Sequence, residues 1–333
     1  MKNTIFPFLL FISISLFSQS TKEKGFETIN KESAKAYIGF LASDAVEGRE
    51  AGRHGGRVAG EYLKSVLQDM GLKPLNEDSY FQPFEAYSPE RQKRVRFSVH
   101  PDSIQKYSQL PAHRKLELRN VLGYIEGENK NEYVVMGAHY DHLGMDEVLD
   151  GDKIYNGADD NASGVSAVLQ IAKAFLASGE KPERTIIFAL WDGEELGLLG
   201  SEYFMQTCPF ASDIKGYVNF DMIGRNNDEQ KPKYVVYFYT EAHPQFGEWL
   251  KSDIKTYGLG LEPNYRPWDK PIGGSDNASF AKRDVPVIWY HTDGHPDYHQ
   301  PSDLADKINW DKLVEITKAA YLNLWNLANL KTY

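Results

Sequence analysis

Between Thr185 and Trp191 the chain runs Thr-Ile-Ile-Phe-Ala-Leu-Trp, with no polar residue at alternate positions. A strand with one face in water alternates; a continuous apolar run of this length fits a strand covered on both faces. Such a strand needs helices packed above and below it. Further strand-like runs lie at Val95 to Val99, Asn120 to Ile125, Tyr133 to Ala138, Gly216 to Phe220, Tyr234 to Tyr239 and Val285 to Tyr290. Helical stripes separate them. Residues 31–42 carry Ala34, Tyr37, Ile38 and Leu41, and Val58 to Met70 repeats at helical spacing until Gly71 and Pro74. Residues 162–178 carry Val165, Val168, Leu169, Ala172, Phe175 and Leu176, ending at Gly179. Helix-like segments follow at 244–257, 276–283 and about 310–328. Strands alternating with helices predict an α/β sheet covered on both faces. Glu47 to Gly56 reads as a loop, and the polar residues 21–30 as a loosely held terminus.

The 333 residues, 41% hydrophobic and 25% charged, are ample for a large core. A net charge of −10 with no extended basic stripe argues against a nucleic-acid partner. Arg91, Lys93, Arg94 and Arg96 form the densest basic patch, read as a solvated strand edge. Cys208 is the only cysteine, so neither an intrachain disulfide nor a thiolate metal cage is available. It precedes Pro209 with no histidine nearby and reads as an inert thiol. Residues 1–20 have the form of a cleavable signal: Lys2, then an apolar run from Ile5 to Phe17, then Ser18 and Ser20. This run of thirteen residues, broken only by Pro7, Ser13 and Ser15, is too short for a bilayer span of ~20 residues. The expected product is an exported protein, periplasmic or secreted, without stable membrane association once the signal is removed.

Five segments carry the chemistry. Val134 to His139 is an apolar strand ending in histidine, with Asp141 two residues on; a carboxylate there can accept the second N–H of a metal-bound imidazole. A hydrogen-bonded histidine at a strand end is the plain alternative. Gly157-Ala158-Asp159-Asp160-Asn161 runs into a helix; capping explains part of it, but two adjacent aspartates exceed what a cap needs, and one of them is a candidate to bridge two metals. Glu194-Glu195, after Asp192-Gly193 at the end of the apolar run, is costly there without partners and makes sense if one is a ligand and the other a general base; a surface turn is the plain alternative. Asp221 lies inside an apolar stretch, where an aspartate almost never goes unpaired. His291, His295 and His299 fall within nine residues, and spacing does not choose among them.

Together these segments resemble the bacterial di-zinc aminopeptidase family, within the zinc exopeptidase superfamily that also holds glutamate carboxypeptidases and glutaminyl cyclases. The motifs occur in order: His139-Tyr140-Asp141, Gly157 to Gly164, Glu194 to Ser201, Asn219-Phe220-Asp221-Met222 and Tyr298-His299. The resemblance spans about residues 31–330. It implies a three-layer αβα sandwich around a mixed, mostly parallel central sheet. It implies two Zn2+ per chain, one on His139 and Asp221, the other on Glu195 and His299, with Asp160 bridging. Glu194 would be the general base, Asp141 would orient His139, and Tyr298 would hydrogen-bond a developing oxyanion. A cis peptide is implied between Asp160 and Asn161. His291 and His295 become pocket or supporting residues. Gly273 to Asn277 resembles a family segment in which a histidine often follows the aspartate; Asn277 replaces it here, which leaves the role of Asp276 open. Many relatives insert a protease-associated domain before the first histidine. Residues 75–132 are too few for it, so 21–333 is expected to be one catalytic domain.

The expected activity is that of an exported metallo-aminopeptidase: hydrolysis of N-terminal residues from peptide substrates by a metal-bridged water and a glutamate base. A glutaminyl cyclase is the nearest alternative. A carboxypeptidase or aminoacylase would need a cation for the free carboxylate, for which Arg225 and Arg266 are merely available. A non-catalytic binding module is the remaining one, though such proteins typically lose ligands and none is missing here.

Overall fold

The structure, a computed structural model, describes residues 20–89, 96–268 and 273–333. Most of the expected signal and all of the basic patch except Arg96 lie outside these residues. Nine strands are present among the described residues: β1 (Lys73–Pro74), β2 (Phe81–Pro89), β3 (His113–Ile125), β4 (Asn129–His139), β5 (Arg184–Trp191), β6 (Ile214–Phe220), β7 (Tyr234–Tyr239), β8 (Glu262–Pro267) and β9 (Val287–His291). The α-helices are α1 (Thr21–Phe26), α2 (Lys31–Leu41), α3 (His54–Met70), α4 (Pro101–Ser108), α5 (Gly164–Ser178), α6 (Leu199–Thr207), α7 (Gln245–Tyr257), α8 (Asn277–Ala281) and α9 (Trp310–Asn329).

One sheet runs in the order β1-β3-β5-β4-β6-β9-β7-β8, and β2 shares the outer edge of β3 with β1. β4 pairs in parallel with β5 and β6, β6 with β9, and β7 with β8. The remaining pairs, β1 and β2 with β3, β3 with β5, and β7 with β9, are antiparallel. The sheet is therefore mixed, with its parallel strands at the centre. Every residue of β5 is buried, as the uninterrupted apolar run requires.

Alternate residues of the central strands divide between two cores. Val134, Met136, Ile186, Phe188, Val218 and Phe220 pack with residues of α2, α3, α5, α7 and α9. Val135, Ile187, Ala189, Trp191 and Tyr217 pack with Phe204 and Met205 of α6 and Phe280 of α8. The chain leaves β4 through α5 to reach β5 on one side, then passes through α6 to β6 on the other side of β4. Such a reversal opens a crevice at the carboxyl ends of the strands. The chemistry-bearing segments lie at those ends.

Residues 21–30 depart from the expected loose terminus. Ser20 and Glu23 form a reciprocal capping box at the start of α1. Phe26 and Ile29 are buried in the main core. The expected strand at Val95 to Val99 reduces, within the described residues, to a single bridge between Ser98 and Tyr87. No helix among the described residues is long and apolar enough to cross a membrane.

Candidate metal centre

His139 ends β4 and is 1% exposed. Its Nε2 lies 3.3 Å from Asp160 Oδ1 and 3.7 Å from Asp221 Oδ1. His299 Nε2 lies 3.2 Å from Asp160 Oδ2 and 3.2 Å from Glu195 Oε2. The two oxygens of Asp160 thus face two different histidines. Four ligand atoms at ~2.0–2.1 Å from a tetrahedral ion are about 3.3 Å from one another, so three of these four spacings match a tetrahedral edge. His299 Nε2 is buried, yet aligned for a hydrogen bond with neither carboxylate. That arrangement suits lone pairs converging on an ion rather than a proton shared between two groups. The donor set of imidazole nitrogens and carboxylate oxygens is one zinc accepts.

The loop carrying Asp160 is fastened from several sides. The backbone N–H groups of Asp159 and Asp160 both donate to Asp303 Oδ2, at 2.9 and 3.1 Å. Asn161 Nδ2 donates to the Phe220 carbonyl at 2.9 Å, tying the loop to the end of β6. Asp159 is occupied elsewhere: its Oδ1 accepts from Gly224 N, and His295 Nε2 lies 3.2 Å from its Oδ2. Of the two adjacent aspartates, only Asp160 reaches the histidine pair. The Asp160–Asn161 peptide is cis.

Asp141 holds the double-glutamate turn. Its two carboxylate oxygens accept from the backbone N–H groups of Glu194 (3.0 Å) and Glu195 (3.3 Å). His139 Nδ1 lies 3.2 Å from the Asp141 carbonyl oxygen and 3.7 Å from its carboxylate. The main chain of Asp141, more than its side chain, is what the imidazole meets. Glu194 Oε2 comes within 4.0 Å of His139 Nε2. Burial pushes the Glu194 carboxyl well up, opposed by His139 and reinforced by Asp221, Asp276 and Glu195. Burial also opposes ionisation of Asp160, but the His139 and His299 imidazoles beside it outweigh this and hold its carboxyl well below the usual range. His299 would be lowered by burial; Asp160 and Glu195 instead raise it to about 10. These carboxylates demand positive charge between them, whether from protons or from a metal.

Tyr298 is 46% exposed and stacks on His299 with ring centroids 3.8 Å apart. It lines a cavity of about 260 Å3 with Asp160, Glu194, Glu195, Asp221, Met222 and Trp289. His291 also lines this cavity, and its Nδ1 lies 2.6 Å from the Asp221 carbonyl oxygen. Asp276 is wholly buried, and burial raises its carboxyl to about 7. Arg225 and Arg266 are committed to Asp297 (2.7 Å) and Asp293 (3.5 Å). Cys208 is a free, partly buried thiol, raised by burial to about 11.

Two buried residues at this site escape sequence reasoning. Arg49, inside the stretch expected to be a loop, donates to the carbonyls of Tyr140 (2.8 Å), Asn156 (2.6 Å), Gly157 (3.0 Å) and Leu41. It stitches the loop after β4 to the loop that carries Asp160. His142 Nδ1 lies 2.8 Å from Glu195 Oε1. Glu47-Gly48-Arg49 was the available signal, since a glycine beside a lone arginine can mark a tight backbone turn. All three adopt positive φ, and a Cβ on Gly48 would sit 2.2 Å from the Gly144 carbonyl oxygen.

A family model described as Peptidase family M28 matches residues 120–323. The chain is 30% identical over 230 residues to the leupeptin-inactivating enzyme 1 of Streptomyces exfoliatus, across 62% of this chain and 48% of that protein. It is 26% identical over 271 residues to a probable zinc metalloprotease of Pyrenophora teres f. teres, across 68% of this chain and 55% of that protein. The chain spans about half the length of the curated relatives it matches. Among solved structures, a zinc aminopeptidase from Bacillus subtilis superposes with a TM-score of 0.69 at 15% identity, across 92% of this chain and 97% of that one. The LapA aminopeptidase of Legionella pneumophila gives 0.67 at 22% identity, across 100% of this chain and 81% of that one. At these identities the likeness is one of fold. The family match covers well over half of the chain and contains every histidine and carboxylate of the candidate metal centre, so the chain belongs to peptidase family M28, a family of zinc peptidases.

Proposed function

We propose that this protein is an exported aminopeptidase that carries two zinc ions and removes N-terminal residues from peptides. His139 and Asp221 would hold one ion, Glu195 and His299 the other, and Asp160 would bridge them. Bound there, zinc would lower the pKa of water and polarise the scissile carbonyl. Glu194 is the group placed to take a proton from water and return it to the leaving amine, since burial and neighbouring carboxylates raise its proton affinity. Asp141 keeps Glu194 in place through its backbone N–H. Tyr298 would donate to the oxyanion from the cavity wall. Residues 1–20 would direct export and be removed, leaving 21–333 as one catalytic domain.

The lining of the cavity carries this reading. Its described residues include four carboxylates, Asp160, Glu194, Glu195 and Asp221, and neither lysine nor arginine. Four carboxylates balance two dications and leave no surplus positive charge for a substrate's α-carboxylate. An α-amine finds carboxylate acceptors in the same place. A peptide's free N-terminus is therefore the end this cavity suits. The zinc-loaded protein should hydrolyse leucyl and alanyl p-nitroanilides and spare their N-acetylated forms. Release of acetate from N-acetyl-leucine without anilide hydrolysis would turn the reading to an aminoacylase. Cyclisation of N-terminal glutamine peptides without anilide hydrolysis would turn it to a glutaminyl cyclase.

A further inference from the structure

Glu195 is approached by a histidine on each of its two oxygens. His299 Nε2 lies 3.2 Å from Oε2, and His142 Nδ1 lies 2.8 Å from Oε1. The two contacts differ in kind. Two ligands of one tetrahedral ion stand about 3.3 Å apart, whereas 2.8 Å with aligned geometry is a hydrogen bond. His142 Nδ1 is also 3.9 Å from Asp160 Oδ2. His142, Asp160 and Glu195 offer ligand atoms close enough together to hold an ion, but His142 has committed Nδ1 to Glu195 as a donor. Its ring has little freedom to do otherwise. The side chain is 0% exposed. A Cβ on Gly157 would lie 2.6 Å from His142 Cδ2, so only glycine leaves the ring its room. The His142 backbone N–H donates to the Arg49 carbonyl at 3.1 Å, fixing where the ring starts.

We propose that His142 is a positioning residue for one of the two metal positions, holding Glu195 Oε1 so that Oε2 alone is presented beside His299 and Asp160 Oδ2. This rests on the two-ion reading of the site. The other position has no such dependence: among the described residues, the polar partners of His139 and Asp221 do not include His142. The position served by Glu195 needs the extra hold: the His299 side chain is 34% exposed, against 1% for His139. An unrestrained Glu195 beside a half-exposed histidine would swing between one-oxygen and two-oxygen presentation. Partners that orient a metal-ligating carboxylate typically change metal affinity 10–100-fold when removed.

The test is zinc titration of the metal-free full chain, in competition with a chromophoric chelator of known affinity. The wild type should take up two ions. His142→Ala should still take up two, one of them about 10–100-fold more weakly and the other unchanged. His142→Asn can place its amide N–H where Nδ1 stands and should restore the wild-type affinity. The proposal is overturned if His142→Ala binds like the wild type, if both positions weaken alike, if His142→Asn is as weak as His142→Ala, or if the wild type binds fewer than two ions. No peptide hydrolysis enters the readout, so a failure of the aminopeptidase reading is seen separately from a failure of this one.

Discussion

Glu194 and Glu195 follow one another after β5, and their surroundings push their carboxyl groups in opposite directions. For both, burial favours the protonated form. Glu194 then meets Asp221, Asp276 and Glu195, which with burial outweigh the opposing His139, so it rises well above the ordinary glutamate value. Glu195 meets Asp160 as well, but the hydrogen bond with His142 and the His299 imidazole beside it outweigh the rest and lower it. Two like residues whose environments separate their proton affinities are a common basis for dividing the roles of acid–base group and ligand. Glu194→Gln should therefore retain zinc and the fold while lowering kcat on leucyl p-nitroanilide by about 10²–10⁴-fold. Near-normal turnover in that variant, with zinc content checked by elemental analysis, would remove Glu194 from the base role. The adjacent glutamates, His139 and Asp221 stood out in the sequence because each interrupts or ends an apolar run, whereas Asp160 and His299 were singled out from Asp159, His291 and His295 only by the family resemblance. His142 and Arg49 were not, because their meaning lies in contacts 53 and 91 residues away along the chain. A lone histidine or arginine in a loop has no periodicity to betray it.

At the level of elements, what could be read followed what each segment buries. α5, α9 and β7 lie near their expected bounds because their apolar faces are deep in the main core. α4 buries no residue, so no stripe marked it. β2 and β8 contain Pro83 and Pro263, and both lie on sheet edges, where a missing N–H is tolerated. The packing of α7 on α9 holds a testable charge. Asp253 of α7 accepts from Asn323 Nδ2 of α9 at 3.3 Å, while Asn323 Oδ1 accepts from Tyr237 and Tyr290. Burial raises the Asp253 carboxyl from 3.8 to about 6, with Lys22 and Asn323 opposing. The folded state thus holds this proton more tightly than the unfolded chain. Its stability falls as pH rises from about 4 through about 6, and the full cost is present above that. Asp253→Asn removes the titration. Relative to wild type it should gain roughly 1–2 kcal/mol at pH 8 and almost nothing at pH 4, allowing for partial solvation. Denaturant midpoints of both chains at the two pH values measure this. An equal offset at both would show that the carboxyl is not perturbed.

Across the whole molecule, the family match begins at residue 120, yet the site it contains is held from outside that span. Arg49 supplies the donors that join the loops after β4 and before α5. The same N-terminal part contributes Phe26, Ile29, Ile38, Leu41, Leu63 and Leu67 to the main core, where they pack with residues of β4, α5 and α9. Exposing a buried side chain of this size costs about 1.5–3 kcal/mol, so losing partners for six of them approaches the 5–15 kcal/mol that stabilises a typical domain. A fragment of residues 120–333 should therefore lack a cooperative thermal transition, although it carries every candidate zinc ligand. It should also bind zinc weakly, because without Arg49 the Tyr140, Asn156 and Gly157 carbonyls lose their shared partner and the ligand loops lose their spacing. Supplying residues 20–119 as a separate chain should restore both the transition and zinc uptake if the docking surfaces alone are sufficient. A sharp calorimetric transition in 120–333 by itself, with two ions bound at wild-type affinity, would show that the matched span is a self-sufficient unit and that the N-terminal third serves some other purpose.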